Sequence, residues 1–249
     1  MVTVRSADEL YRRGASTLLS AWDEHARGAT GASVRRLPGV AVAVFPHEPE
    51  RGVYNNALLD RDLDRAHRAA ALDALADTYA AAGITDFAAW VHESDPAMRQ
   101  DLERRGYTYR ESTRAMGMSL DDIRLPRPRL DLAPPGWAWT EYLRIVGMPP
   151  GFLARADPTA YHIVIARLEG ENVASAMAVD HDGDRGIFNV GTLEHARHRG
   201  LGTGLTALLA HDGRDRGCRT ASLQSTAMAE HIYAKVGFRD LGRFFEYGP

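Results

Sequence analysis

Apolar and polar positions follow one another along the first half of the chain in a way that predicts helices and strands in turn. Residues 8–27 carry apolar side chains at near-helical spacing, and glycines end the pattern at Gly28. The β-branched run 40–45 lies between proline-containing turns, which is typical of a strand. By the same criteria we predict further helices at 65–82 and 95–105, and further strands at 54–59, 87–91 and 113–120.

The second half repeats this succession after a proline-rich stretch at 121–136, which is the predicted linker. Its predicted strands are 161–167, 173–179, 187–190 and 221–224, and its predicted helices carry Leu205, Leu208 and Leu209 or span 227–236. Residues 170–172 and 182–183 are predicted hairpin turns, and 148–151 a loop. The pattern at 137–146 assigns neither helix nor strand.

The two halves match each other when the numbering is shifted by about 131 positions. Gly106-Tyr107 then falls on Gly237-Phe238, and Ser94 on Ser225, with no gap in the helices between them. The shared order of strand, polar turn, helix and Gly-aromatic pair indicates a tandem duplication of one α/β unit. We therefore predict an α/β fold with a central mixed β-sheet flanked by helices, and two domains, 1–125 and 126–249.

Composition narrows the possible partners and the compartment. The chain has 249 residues, is 45% hydrophobic and carries a net charge of -3, so it has no basic footprint for nucleic acid. No apolar run is long enough for a membrane span, and the first residues lack the apolar core of a signal peptide. The lone Cys218 cannot form an internal disulfide and is interpreted as a small buried residue in a cytoplasmic protein.

A glycine-punctuated basic turn follows the predicted strand that ends near Val190. It reads Arg197-His198-Arg199-Gly200-Leu201-Gly202, and Thr203 and Gly204 continue it into an apolar helix. Such a helix N-terminus offers free N–H groups and the positive end of the helix dipole, which suit a phosphate or pyrophosphate. The turn lacks the lysine of a Walker loop and the glycine spacing of a Rossmann turn, so both of these motifs are excluded. The pattern that remains is R-x-x-G-x-G after a strand.

This turn and a second motif downstream resemble the GNAT superfamily of acyl-CoA-dependent N-acyltransferases. R-x-x-G-x-G is similar to the family's pyrophosphate-binding motif, and Tyr233 to Phe238 resembles the Y-x-x-x-G-F signature that closes the GNAT core. The resemblance implies that Tyr233 is the general acid that protonates the departing thiolate of coenzyme A. The alternative is that Tyr233 is a packed aromatic side chain on an amphipathic helix.

The resemblance also implies which residues bind the co-substrate, acetyl-CoA. Its pantetheine arm and thioester carbonyl would contact the backbone of Val190, Gly191 and Thr192 on a strand that separates from its neighbour. Its pyrophosphate would be bound by the turn, and Thr226 occupies the place of a family asparagine that contacts coenzyme A. The residues implied for the turn are Arg197, His198, Arg199, Gly200, Leu201, Gly202, Thr203 and Gly204.

The implied reaction is the transfer of an acetyl group to the primary amine of a small molecule, by direct attack in a ternary complex. The general base stays open: Glu194 and a water relay are the candidates, whereas His195 and His198 are interpreted as solvated or phosphate-contacting side chains. No metal set is evident, and we interpret Asp180-x-Asp182-x-Asp184 as a polar hairpin rather than a calcium loop. The oligomeric state is unknown.

The N-terminal copy is expected to be degenerate. Leu102 stands where the second copy has Tyr233, and the stretch 59–64 has three carboxylates and no glycine, so it would repel a pyrophosphate. This copy would wall the acceptor cleft, with Tyr54, Asn55 and Asn56 either facing that cleft or lying at a sheet edge. Two other functions are considered: a non-catalytic acyl-CoA sensor, and a transferase that uses a longer acyl-CoA or a peptide amine.

Overall fold

A computed structural model describes residues 5–47, 54–134, 139–148 and 155–249. The helices are α1 (Ala7–Gly28), α2 (Arg65–Ala81), α3 (Pro96–Arg104), α4 (Trp139–Val146), α5 (Leu201–Asp215) and α6 (Glu230–Val236). The strands are β1 (Ser33–Leu37), β2 (Val40–Val44), β3 (Asn56–Leu59), β4 (Ala88–His92), β5 (Thr108–Ser119), β6 (His162–Leu168), β7 (Glu171–His181), β8 (Asp184–Thr192), β9 (Thr220–Ser225) and β10 (Arg239–Gly248). The predicted α/β class is confirmed.

The chain forms two compact units that are interleaved along the sequence. The first unit comprises residues 22–114 and 242–249, and the second comprises 1–21 and 115–241. The division passes through α1, β5 and β10, so each of these elements contributes residues to both units. The division into domains 1–125 and 126–249, which rests on the internal repeat, stays a prediction.

In the first unit, the strands follow the order β1-β2-β3-β4-β10. The pairs β1–β2 and β2–β3 are antiparallel, β3–β4 is parallel and β4–β10 is antiparallel. Helices α2 and α3 cover one face of this sheet, where Leu72, Leu75 and Tyr79 are fully buried. Burying side chains of this size contributes about 1.5–3 kcal/mol each, so this face is the core of the unit.

In the second unit, the strands follow the order β5-β9-β8-β7-β6. The pairs β6–β7 and β7–β8 are antiparallel, and β8–β9 is parallel. Helices α5 and α6 pack on one face around Leu205, Leu209 and Val236. On the other face α1 approaches β9 so closely that a Cβ on Gly14 would lie 2.9 Å from Cβ of Ser222. Both units thus have a mixed sheet flanked by helices, and β6 to β9 of the second unit pair in the same way as β1 to β4 of the first.

Two helix endings share one hydrogen bond, which supports the repeat seen in the sequence. After α3, Tyr107 N–H donates to the carbonyl of Leu102 at 3.1 Å, and after α6, Phe238 N–H donates to the carbonyl of Tyr233 at 3.1 Å. Gly106 and Gly237 both have positive φ angles, which lets the chain turn away from each helix at that point. Leu102 and Tyr233 therefore occupy equivalent places in the two units.

Most predicted elements are confirmed, and the differences lie at element ends and polar strands. Strand β1 was not predicted, because its burial pattern alternates poorly and Arg35 and Arg36 are exposed. Strand β5 begins five residues before its predicted start, because its first residues, 108–111, are exposed and polar in pattern. The unassigned 137–146 contains α4. The predicted loop at 148–151 lies, apart from Met148, outside the described residues.

Two predicted boundaries were displaced by local backbone conformation. The first hairpin turn is formed by Glu169 and Gly170, with φ angles of 52° and 86°, so the prediction at 170–172 was too late. Helix α6 begins at Glu230 rather than 227, because residues 227–229 form a turn before it. The sheet-edge role considered for 54–56 is wrong, since β3 lies between β2 and β4.

The hairpin at Asp182-Gly183 is confirmed, with φ angles of 46° and 73°. Asp180 accepts two hydrogen bonds from the fully buried guanidinium of Arg185, at 2.6 and 2.7 Å. Asp184 accepts hydrogen bonds from the hydroxyls of Thr220 and Ser222, both at 2.6 Å. These carboxylates are therefore bound by the protein itself and join β7, β8 and β9 at the beginning of β8.

Composition also led to expectations about Cys218, metal ligands and membrane-spanning helices. Cys218 is buried, and burial raises the pKa of its thiol to about 11, which keeps it protonated. Within the described ranges, no cluster of three or more His, Cys, Asp or Glu side chains is arranged to hold a metal ion. Among the helices that the structure describes, none has the length and apolar character needed to cross a bilayer.

Candidate active site

Strands β8 and β9 pair only at their beginnings. Asp184 to Gly186 pair with Thr220 to Ser222, and β8 then continues to Thr192 without a further pairing to β9 in the described chain. The predicted separation of this strand from its neighbour is confirmed. Val190, Gly191 and Thr192, whose backbone groups stay candidates for binding the thioester arm, are half-buried and lie in the part of β8 that does not pair with β9.

A bulge in β8 accompanies this separation. Ser175 pairs with Gly191 and Met177 with Phe188, so Ala176 on β7 stands opposite both Asn189 and Val190. Asn189 has a φ of 50°, a left-handed conformation that a short amide side chain tolerates. The bulge turns the end of β8 and was not visible in the sequence, because Asn189 gives no signal of its own there.

The N-terminus of α5 is open. Gly200 precedes the helix with a φ of 77°, and no side chain caps it. The first intrahelical bond there runs from Gly204 N–H to the carbonyl of Gly200, at 2.9 Å, so the N–H groups of Leu201, Gly202 and Thr203 have no partner within the helix. Unpaired N–H groups and the helix dipole together favour an anion at this place.

The basic residues of the turn lie beside this helix end. Arg197, His198 and Arg199 are all exposed, and His198 has a φ of 62°. The Nε of Arg197 donates to the carbonyl of Thr192 at 3.3 Å, which links the turn to the end of β8. The site therefore combines positive side chains with the helix N-terminus, as the sequence motif predicts for a pyrophosphate.

The glycines of the turn serve different purposes. Nothing lies within 4 Å of a Cβ added to Gly200, so its requirement is the positive φ. A Cβ on Gly202 would lie 3.7 Å from Cγ1 of Val190, an ordinary contact, so the fold leaves this surface open. A Cβ on Gly204 would lie 3.3 Å from Leu130, so that glycine serves packing.

Tyr233 lies on α6 and is 8% exposed. It packs edge-on against Phe238, with ring centroids 6.3 Å apart, and belongs to the same hydrophobic cluster that Val190 and Leu201 pack against. Burial raises the pKa of its phenol to about 12, so the hydroxyl keeps its proton at neutral pH. These properties fit a proton donor, and the packed position also fits the structural alternative.

The structure does not single out a general base. Glu194 is exposed, the Nε2 atom of His195 lies 3.2 Å from Oε2 of Glu171, and His198 is exposed in the turn.

Thr226 is exposed, and its carbonyl accepts a hydrogen bond from the hydroxyl of Ser225 at 2.8 Å. The second unit has two cavities of about 310 and 550 Å³. Both are lined by residues near the beginning of β8, whereas the candidate site lies at the end of this strand.

Comparison with known proteins agrees with this geometry. Residues 126–238 match the family described as Acetyltransferase (GNAT) family. No curated protein matches the chain at a significant level.

Several solved structures share the fold. A GCN5-related N-acetyltransferase from Kribbella flavida is 20% identical, with a TM-score of 0.72, over 95% of this chain and 94% of its own. One from Sphaerobacter thermophilus is 16% identical, with a TM-score of 0.61, over 98% and 93%. A tandem GNAT protein from the clavulanic acid biosynthesis pathway is 13% identical, with a TM-score of 0.59, over 99% and 98%. At these identities the likeness shows the fold, whereas the family match concerns the sequence. Residues 126–238, which contain both motifs and the open end of β8, are an acyltransferase domain of the GNAT family.

Proposed function

We propose that the protein transfers an acetyl group from acetyl-CoA to the primary amine of a small molecule. The amine nitrogen attacks the thioester carbonyl directly in a ternary complex, so a C–N bond forms and the C–S bond breaks. The observation that carries this proposal is the junction of β8 and α5, where the end of a strand that no longer pairs with β9 lies next to an open helix N-terminus.

Each part of this junction suits one part of acetyl-CoA. The pyrophosphate would accept hydrogen bonds from N–H groups of Leu201, Gly202 and Thr203 and pair with Arg197 and Arg199. The backbone of Val190 to Thr192 would align the thioester arm, and an N–H group there would stabilise the negative charge that develops on the carbonyl oxygen. Acetyl-CoA is the co-substrate in this proposal.

Tyr233 is the proposed general acid. When the C–S bond breaks, the sulfur carries the electron pair, and the phenol of Tyr233 donates its proton to that thiolate. The raised pKa of Tyr233 keeps the phenol protonated until this step. The amine gives up its proton to water or to a base that the structure leaves unassigned, and solvent restores the proton of Tyr233.

The N-terminal copy is the proposed degenerate partner of this domain. Its support comes from the matching strand order, the matching helix endings and the full-length likeness to a protein named as a tandem GNAT protein. A second copy without an anion site would leave one acetyl-CoA site per chain.

The proposal is tested by titrating acetyl-CoA into the purified full chain by calorimetry. We expect one site per chain, and turnover with a panel of small primary amines that follows ternary-complex kinetics. Two sites would contradict the degenerate N-terminal copy. A lack of binding would contradict the use of acetyl-CoA, and ping-pong kinetics would contradict direct attack.

A further inference from the structure

Helix α4 contacts the end of β8 on both sides of Val190. On one side, the Nδ2 group of Asn189 donates a hydrogen bond to the hydroxyl of Tyr142, at 3.0 Å. On the other side, a Cβ added to Gly191 would lie 3.1 Å from both the carbonyl oxygen of Ile145 and the Cα of Val146. The helix therefore packs directly on the strand backbone at the bulge, and a side chain at position 191 would require α4 to move away by a few tenths of an ångström.

The hydrogen bond of Asn189 continues across the bulge. The hydroxyl of Tyr142 in turn donates to the sulfur of Met177, at 3.6 Å, and Met177 pairs with Phe188 immediately before the bulge. Asn189, Tyr142 and Met177 thus connect the two strands at the point where their register shifts. Tyr142 is 0% exposed, so its hydroxyl cannot exchange this partner for bulk water.

The backbone of Asn189 is strained in this position. A non-glycine residue at positive φ is uncommon, and such strain persists only where the surroundings hold it. The bond to Tyr142 and the packing of α4 supply that hold here. Without them, β8 has a less strained alternative in which the bulge shifts or disappears, and the backbone groups of residues 190–192 turn with it.

We infer that Tyr142 and Asn189 are positioning residues that hold the bulge of β8 in the orientation in which residues 190–192 bind the thioester. This inference rests on the proposed function for its consequence in catalysis, whereas the positioning of the strand is a property of the protein alone. Neither side chain is assigned a contact with the reacting atoms.

The test is a double-mutant cycle of Tyr142→Phe and Asn189→Gly in the full chain. Glycine tolerates the positive φ, so Asn189→Gly removes the hydrogen bond without adding backbone strain. We expect each change to raise the Kd and the KM for acetyl-CoA by about 10-fold, with a smaller effect on the KM for the amine. Because the two side chains act as one pair, the Kd and the KM of the double variant for acetyl-CoA should not exceed those of the single variant that binds acetyl-CoA less tightly.

A second readout does not depend on acetyl-CoA. Amide hydrogen exchange at Val190 to Thr192 should be faster in Tyr142→Phe than in the unchanged protein. The matched control is Tyr79→Phe in the first unit, where the buried hydroxyl of Tyr79 donates to the carbonyl of Ala43 at 3.0 Å. This control should lower the melting temperature to a similar extent and leave the Kd and the exchange at 190–192 unchanged.

The outcomes separate the inference from the proposed function. Multiplicative losses in the double variant, or unchanged exchange at 190–192 in Tyr142→Phe, would overturn the inference even if the unchanged protein binds acetyl-CoA. Faster exchange at 190–192 in a protein that binds no acetyl-CoA would uphold the positioning of the strand and overturn the proposed function.

Discussion

The junction between β3 and α2 in the first unit and the junction between β8 and α5 in the second have the same topology and opposite chemistry. In each unit, a strand that pairs parallel to the next strand leads into a helix. In the first unit, the pairing of β3 with β4 continues from Asn56 to Leu58, one residue before β3 ends. In the second, the pairing stops at Gly186 and β8 runs on to Thr192, which leaves backbone groups available for a ligand.

The N-termini of α2 and α5 also differ, because only that of α2 is capped by a side chain. The side chain of Asp64 caps α2, because its Oδ1 accepts from the N–H of His67 at 2.9 Å. That backbone bond holds the pKa of Asp64 below its usual range, and the capping carboxylate occupies the place at which an anion would bind to this helix. Gly200 gives α5 no such cap. One repeated fold can therefore keep or lose an anion site through the cap residue and the length of one strand pairing.

The largest expected effect comes from Tyr233, whose counterpart in the first unit is Leu102. Tyr233→Phe should lower kcat by about 100- to 10,000-fold, because the departing thiolate loses its proton donor. The Kd for acetyl-CoA should stay unchanged, since the ring and its packing remain. Steady-state kinetics and calorimetry measure the two quantities, and a kcat within 2-fold of the unchanged enzyme would return Tyr233 to a structural role.

The next effect concerns the open helix end of α5. Gly202→Glu should weaken acetyl-CoA binding by at least about 100-fold, because a carboxylate then competes with the pyrophosphate as Asp64 does in the first unit. Gly202→Ala is the matched control, since its Cβ would make only an ordinary contact with Val190. Equal affinity of the Glu and Ala variants in calorimetry would place the pyrophosphate elsewhere.

Acid should destabilise the first unit through His25 on α1. The Nε2 atom of His25 is shielded from solvent, and burial lowers the pKa of the ring to about 4 from the usual 6.5. The unfolded chain therefore takes up a proton below about pH 6.5 that the folded chain takes up only near pH 4, so stability falls as the pH falls through this window. The expected loss is up to about 3 kcal/mol in the free energy of unfolding.

Urea unfolding at pH 7 and pH 4.5 measures this loss, and His25→Gln should reduce it because glutamine does not titrate. Hydrogen exchange should place the earliest acid-induced opening within residues 22–114. The same pH dependence in His25→Gln would assign the acid sensitivity to other groups.

The smallest effect is expected at Asp64. Asp64→Gly should lower the melting temperature by only a few degrees, because the helix loses its side-chain cap. It should not create a second acetyl-CoA site, since the pairing of β3 with β4 leaves no open strand end beside α2. A stoichiometry of two in the calorimetric titration of this variant would show that the cap alone closes the site.

The local structure of the candidate site was largely predictable from the sequence, because a glycine turn and the helix after it depend on residue types at fixed spacing. The turn at 197–204 and the helix after it required only the glycines, the arginines and the apolar period that follows. The pairing that opens β8, by contrast, depends on where two strands stop being neighbours. The bulge at Asn189 and its bond to Tyr142 join residues from two elements, and no local pattern encodes such a contact.

The missed and displaced elements have similar causes. Strand β1 and the beginning of β5 carry exposed polar side chains, so a hydrophobic pattern cannot reveal them. The interleaving of the two units is a property of long-range pairing. The sequence showed the repeat at 131 positions, yet nothing in it indicated that residues 1–21 and 242–249 belong to different units than their neighbours in the chain.

The pairing of β10 with β4 also determines when the protein can fold during its synthesis. Phe244 pairs with His92 and Tyr247 with Ala89, so the sheet of the first unit includes a strand that the ribosome makes long after the rest of that unit. The first unit is completed only after the residues of the second unit, up to Leu241, have been made. The nascent chain therefore carries β4 without its partner β10 until residues 244–247 have been made, and an unpaired strand edge is prone to aggregation during that interval.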